Sequence, residues 1–294
     1  MELRTDLAIE AREIAGEEVG GVDFKEYHEN GLEISRLTVK TQRAGQLLHK
    51  EKGTYITIDL PPLTDNFTNT DKRLQTIGCE IRRLLPVNGL VLVCGLGNVE
   101  ITPDALGPKT SAQVLATRHI TGELARATGL DKLRPVAVLT TGVTGQTGIE
   151  TGEYLLSIVK KIKPTAIIAV DALASRRLER LGCTLQICDT GISPGAGVGN
   201  HRTKINSDTM GIPVIAVGVP TVVDAATMAS DLLNIQNEND ANNLKEQLSP
   251  NGRKMVVTPK EIDLLIDRAS RLISMSVNFA LHKGLELEDI AMLV

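Results

Sequence analysis

Four short aliphatic runs constrain this chain more than any other feature. They are Leu90-Val91-Leu92-Val93, Val136-Ala137-Val138-Leu139, Ala166-Ile167-Ile168-Ala169-Val170 and Val214-Ile215-Ala216-Val217. Short apolar runs bounded by turn residues read as strands buried on both faces, the pattern of a parallel sheet. Segments of helical period separate them, so the predicted class is α/β: a mainly parallel sheet flanked by helices. Aromatic residues make up only 2% of the chain and Trp is absent. The core must therefore be built from Val, Ile, Leu and Ala, which suits helices packed on such a sheet.

The spacing predicts strands at 90–94, 135–140, 165–170, 184–187 and 213–219. Helices are predicted from Thr70-Asp71 with Leu74, Ile77, Ile81 and Leu84 on one face, and at about 110–127, 150–162, 173–181 and 222–233. Two alternating stretches, Leu32 to Val39 and Ile56 to Leu60, precede the alternation and read as an antiparallel addition at the side of the sheet. A phase slip between Ile34 and Leu37 fits a bulge. Residues 1–30 are charged and weakly periodic, and 234–254 are polar enough to form a surface loop or lid. Thr258 as N-cap, Pro259 at N1 and Glu261 at N3 announce a last helix with an Ile262-Leu265-Ile266-Ala269 stripe.

The formal charge of −4 and pI near 5.8 give no electrostatic case for nucleic-acid binding. No apolar stretch approaches the roughly 20 residues that span a bilayer. The first residues show no signal-peptide hydrophobic region, so an intracellular, soluble protein is expected, with no membrane partner. Cys79, Cys94, Cys183 and Cys188 do not form a zinc spacing and read as reduced structural cysteines.

In open α/β sheets, ligands bind beyond the carboxyl ends of the strands. Asp104 follows the first run through Gly95-Leu96-Gly97-Asn98, and Asp171 directly follows the third. Singly, Asp104 reads as a turn residue and Asp171 as the N-cap of the next helix. Together they place two carboxylates on one rim. Like-charge repulsion would split their protonation states, leaving one to give a proton and one to take a proton from water. That chemistry hydrolyses an amide without a metal or cofactor. The Gly95-Leu96-Gly97 turn lacks the third glycine of a dinucleotide fingerprint and has Glu100 there instead. Asp189-Thr190-Gly191 matches the tripeptide of pepsin-like proteases, but those are all-β. Gly97, Asn98, Asp189 and Asn200 remain candidates to line the site; His201 reads as a surface or turn residue.

These strings, with Arg4-Thr5-Asp6-Leu7-Ala8, Gly145 to Thr151, Asp171-Ala172-Leu173-Ala174, Gly191 to Asn200 and Gly211 to Asp224, resemble the germination proteases of spore-forming bacteria. The resemblance implies an endopeptidase that degrades small acid-soluble DNA-binding spore proteins early in germination, located in the spore core or forespore cytoplasm. It implies an atypical aspartic-type mechanism with Asp104 and Asp171 as catalytic residues, a homotetramer, and a phosphorylase/hydrolase-like fold similar to hydrogenase-maturation peptidases. It also implies a self-processing zymogen cut after an acidic residue in a Thr-acidic-apolar-Ala context. Here that bond joins Asp6 to Leu7, which makes 1–6 the propeptide and 7–294 a single peptidase domain. Bacillus-type relatives carry a longer propeptide and a longer segment before Thr258. A metal-dependent peptidase of the hydrogenase-maturation type, with Asp104 and either Asp171 or Glu150 supplying oxygen ligands, and a non-catalytic ligand-binding module are the alternative readings.

Overall fold

In the computed structural model, which describes residues 5–16, 18–65, 67–68, 71–195, 203–233, 243–244, 246–249, 253 and 255–294, the four aliphatic runs are four parallel strands. They are β4 (Val91–Gly95), β5 (Val136–Thr140), β6 (Ala166–Ser175) and β8 (Val214–Asp224). Every side chain of β4 is buried, as a strand covered on both faces requires. The remaining strands are β1 (Val22–Glu29), β2 (Leu32–Val39), β3 (Gly53–Asp59), β7 (Thr184–Cys188) and β9 (Val256–Val257). One sheet joins them in the order β1-β2-β3-β7-β8-β6-β4-β5, with β9 on the end of β8. The pairs β8–β6, β6–β4 and β4–β5 are parallel; β1–β2, β2–β3, β3–β7, β7–β8 and β8–β9 are antiparallel. The expected antiparallel addition is thus a whole half of the sheet.

One face carries the main core. Ile34, Ile58, Val93, Ile168 and Val217 of the sheet meet α3 (Lys72–Leu84), α4 (Leu106–Ser111), α10 (Ile262–Leu281) and α11 (Leu287–Leu293) there. On the other face, Leu92, Ile167 and Ala169 meet Leu155 and Val159 of α7 (Thr151–Ile162) and Met210 of α8 (Ser207–Met210). Over the antiparallel half of that same face lie α1 (Ala8–Ala15) and α2 (Gln42–Leu48), packed through Ala8, Ala44 and Leu48 on Leu37, Val39 and Tyr55. The short helices α5 (Gly122–Thr128), α6 (Thr144–Thr147) and α9 (Ala225–Leu232) occupy connections.

Several local expectations are corrected. The β2 register is unbroken on both sides, so there is no bulge: Leu32 and Ile34 serve one face and Leu37 and Val39 the other. The predicted helix at 173–181 is absent. β6 continues to Ser175, paired with β8 across a register shift after Leu173, and only a 3₁₀ turn at Leu178–Arg180 follows. The predicted helix at 110–127 is two helices, α4 and α5. Between them the Thr117 and Arg118 N–H groups both donate to Val136 O, and Thr117 Oγ1 donates to Arg134 O, pinning the chain to the start of β5. β8 runs to Asp224, whose carboxylate caps α9 through the Thr227 N–H at 2.8 Å, so that helix begins later than predicted. Thr258 does not cap the last long helix: its hydroxyl donates to Thr221 O, and Glu261 precedes the first helical residue. Thr70, Asn200, His201 and most of the predicted lid at 234–254 lie outside the described residues.

Candidate active site

Asp171 lies inside β6 rather than at a helix cap, and it is 5% exposed. Ile167, Ala169 and Leu173 place its side chain on the face covered by α7 and α1. The cross-strand neighbours matter more. Asp171 pairs with Gly218 of β8, and Gly218 pairs with Gln186 of β7. Paired residues point to the same side of a sheet. Gln186 and Asp171 therefore face each other over a residue with no side chain, their Cα atoms two strand spacings, or about 10 Å, apart. A Cβ on Gly218 would lie 2.5 Å from Asp171 O and 2.7 Å from Leu173 Cγ.

Asp104 closes the 3₁₀ turn Thr102–Asp104 that follows β4. Its Oδ2 accepts from the Asn98 N–H at 2.8 Å. Gly97, at φ +111°, passes so close that a Cβ there would lie 2.1 Å from Asp104 O. Only glycine allows both the backbone angle and that approach. Thr221 Oγ1 of β8 donates to Pro103 O at 2.8 Å, and Leu96 N–H donates to Val170 O at 2.9 Å. These bonds tie the Asp104 turn to β8 and β6, so both aspartates stand on one rim.

That rim borders a cavity of about 690 Å³ lined by Asp104, Asp171, Gly97, Gly218, Lys50 and Gln186, among others. Asn98 and Asp189 are not in its wall. The Asn98 side chain accepts from the Glu100 N–H and from Gln146 Nε2. Asp189 Oδ1 accepts from the Thr54 N–H at 2.7 Å and sits against Gly53, a tether between β7 and β3. Burial raises the Cys94 thiol pKa, and Asp171 raises it further, so this thiol stays protonated beside the site. All four cysteines are free. Among the described residues, no three His, Cys, Asp or Glu side chains come together as a metal-binding group.

The N-terminal segment also lies in this wall, through Thr5 and Asp6. Asp6 N–H donates to Ala174 O at 2.9 Å, and Ala174 N–H donates to Asp6 Oδ2 at 2.8 Å. Leu7 is fully buried against Leu173. Glu10, equally buried, accepts from the Arg176 and Arg177 N–H groups at 2.8 and 3.0 Å and from Thr5 Oγ1. Burial raises the Asp6 carboxyl pKa, with Lys50 and the Ala174 N–H opposing. Burial likewise lowers the Lys50 ammonium pKa, with Asp6, Cys188 and Glu10 opposing.

A profile of the family described as "Germination protease" matches residues 2–237 and 233–293. The chain belongs to the germination protease family. It is therefore a member of a family of peptide-bond hydrolases. It is 41% identical to the germination protease of Clostridium tetani over 319 residues, covering 99% of this chain and 98% of the relative. It is 42% identical to that of Caldanaerobacter subterraneus over 318 residues, at 99% and 98% coverage. Against the germination protease of Priestia megaterium it is 35% identical over 355 residues, at 98% and 95% coverage. Among solved structures, a [NiFe] hydrogenase maturation protease, HycI, from Thermococcus kodakarensis matches with a TM-score of 0.37 and 15% identity, over 67% of this chain and 98% of the other.

Sequence reasoning missed Lys50, Gln186 and Thr221. Gln186 left a signal: it is the one amide in Thr184-Leu185-Gln186-Ile187-Cys188, on the side opposite Leu185 and Ile187. Lys50 left none, since a lysine after a helix reads as a solvated end.

Proposed function

We propose that this chain is an endopeptidase of spore germination that cuts small acid-soluble DNA-binding spore proteins, with Asp104 and Asp171 as the acid–base pair. The observation that carries the reading is the shared rim: two carboxylates, one inside β6 and one on the turn after β4, border one cavity in a chain of a protease family. One carboxylate takes a proton from water, and the other gives a proton to the leaving nitrogen. We further propose that residues 1–6 are a propeptide removed by self-cleavage between Asp6 and Leu7. The docking of Asp6 on Ala174, three residues beyond Asp171, supports this reading. A homotetramer in the spore core or forespore belongs to the same proposal.

The test is incubation of the purified protein with a Thr-Glu-Phe-Ala-Ser-Glu peptide, with and without exhaustive chelation. Cleavage after Glu that survives chelation is expected. An intact peptide contradicts the endopeptidase reading, and cleavage lost on chelation contradicts the two-aspartate mechanism in favour of a metal-dependent one.

A further inference from the structure

Within residues 5–10, one backbone carbonyl is held unlike the others. Lys50 Nζ donates to Thr5 O at 3.2 Å and to Asp6 O at 2.9 Å. Gln186 Nε2 donates to the same Asp6 oxygen at 2.9 Å, while Gln186 Oε1 accepts from the Ala8 N–H at 2.6 Å. That bracket fixes the amide orientation, because the reverse would set oxygen against oxygen and N–H against N–H. The Asp6 carbonyl thus sits between an ammonium and an amide, and the Asp6 carboxylate rests on the Ala174 N–H. It belongs to the bond joining Asp6 to Leu7. Gln186 in turn stands on the row Gln186–Gly218–Asp171, so the amide and the Asp171 carboxylate rise from the same face of the sheet and line the same cavity.

We propose that Lys50 and Gln186 are the carbonyl clamp of this peptidase, binding and polarising the carbonyl of the acidic residue on the amino side of the bond to be cut. The inference rests on the self-processing reading above. In that step, the oxygen of a water molecule bonds to the Asp6 carbonyl carbon, and one of its protons passes to the carboxylate acting as base. The bond from that carbon to the Leu7 nitrogen breaks as the nitrogen takes a proton from the carboxyl acting as acid. The products are an Asp6 carboxylate and a free Leu7 amine. Between the two events negative charge gathers on the carbonyl oxygen, where preorganised donors in a site shielded from water are worth most. An incoming peptide with an acidic residue before its scissile bond presents the same backbone to the same donors.

The test is the first-order loss of residues 1–6, followed by intact mass, for full-length wild type, Lys50→Met, Lys50→Arg and Gln186→Met. Asp171→Asn is the blank and thermal melts control for folding. Lys50→Met and Gln186→Met are expected to process about 10²–10³-fold more slowly, as loss of one oxyanion donor does, with Lys50→Arg within about tenfold of wild type. Should Gln186→Met not fold, Gln186→Glu replaces it, keeping the acceptor for Ala8 and removing the donor. If Lys50→Met processes at nearly the wild-type rate while Asp171→Asn is silent, the clamp is overturned and the peptidase reading stands. A slowed Lys50→Met that Lys50→Arg does not recover marks a structural lysine and also overturns it. Wild type that cuts the acidic-site peptide but never processes itself overturns the clamp at Asp6. Wild type that does neither removes both readings.

Discussion

The parallel half of the sheet and the antiparallel half meet at β8 and contribute different things to one cavity. From the parallel half come the carboxylates: Asp171 inside β6 and Asp104 on the turn after β4. From the antiparallel half and the helix beside it come the donors, Gln186 on β7 and Lys50 after α2. The parallel half fixes its groups through backbone geometry that only glycine permits, as at Gly97 and Gly107. The antiparallel half instead holds the backbone of the N-terminal segment through the Lys50 and Gln186 side chains, while the end of β6 meets the same segment through the N–H groups of Ala174, Arg176 and Arg177. The lesson is that the Asp171 carboxylate and the Gln186 amide sit on opposite sides of a glycine-floored gap, so each can be perturbed by itself.

The largest effect is expected on the parallel side. A Cβ at Gly107 would lie 2.2 Å from Leu96 O, just after β4, and 2.4 Å from Val170 O, within β6. Gly107→Ala should cost at least about 3 kcal/mol, at or above the usual overpacking range, and displace the Asp104 turn. Chemical denaturation measures it; a loss under about 1 kcal/mol would show that α4 is not held against β4 and β6 as described.

A middle-sized effect belongs to the N-terminal segment. Glu10→Ala leaves the Arg176 and Arg177 N–H groups without their carboxylate. The cost should be about 1–3 kcal/mol, with faster amide exchange over residues 7–11 and peptide cleavage retained. Lost peptide cleavage at full folding would show that docking of the N-terminal segment and the carboxylate rim are not separable.

The smallest effect is a pH slope. Because burial raises the Asp6 pKa from 3.8, the docked segment holds its proton more tightly than the undocked one. Docking is then strongest below about 3.8 and weakens as pH rises through the raised value. Amide protection over residues 7–11, corrected for intrinsic exchange, should fall across that window in wild type and stay level in Asp6→Asn. The same slope in both proteins would assign the titration to another group.

Sequence legibility followed the same divide. The parallel strands announced themselves because both their faces are buried, leaving unbroken aliphatic runs, and the aspartate rim followed from the strand ends. Asp171 was misplaced to a helix cap because Leu173, Ala174 and Leu178 can also be read at helical spacing; its strand runs on because β8 and Asp6 supply partners up to Ser175. β1, α1 and α2 were not read as elements. β1 is an edge strand with burial too patchy to show alternation, and α1 is short and owes its place to contacts far along the chain. The Lys50–Gln186 pair joins residues separated by more than a hundred positions, and nothing in the local pattern of either one names the other.

The most direct measurement of the central claim is turnover of the Thr-Glu-Phe-Ala-Ser-Glu peptide by Asp104→Asn and Asp171→Asn beside wild type, with melting curves to show that each variant is folded. The account predicts that both folded variants lose at least about 10²-fold in kcat, the lower end of what general acid–base groups contribute. Near-normal turnover by either folded variant would contradict it.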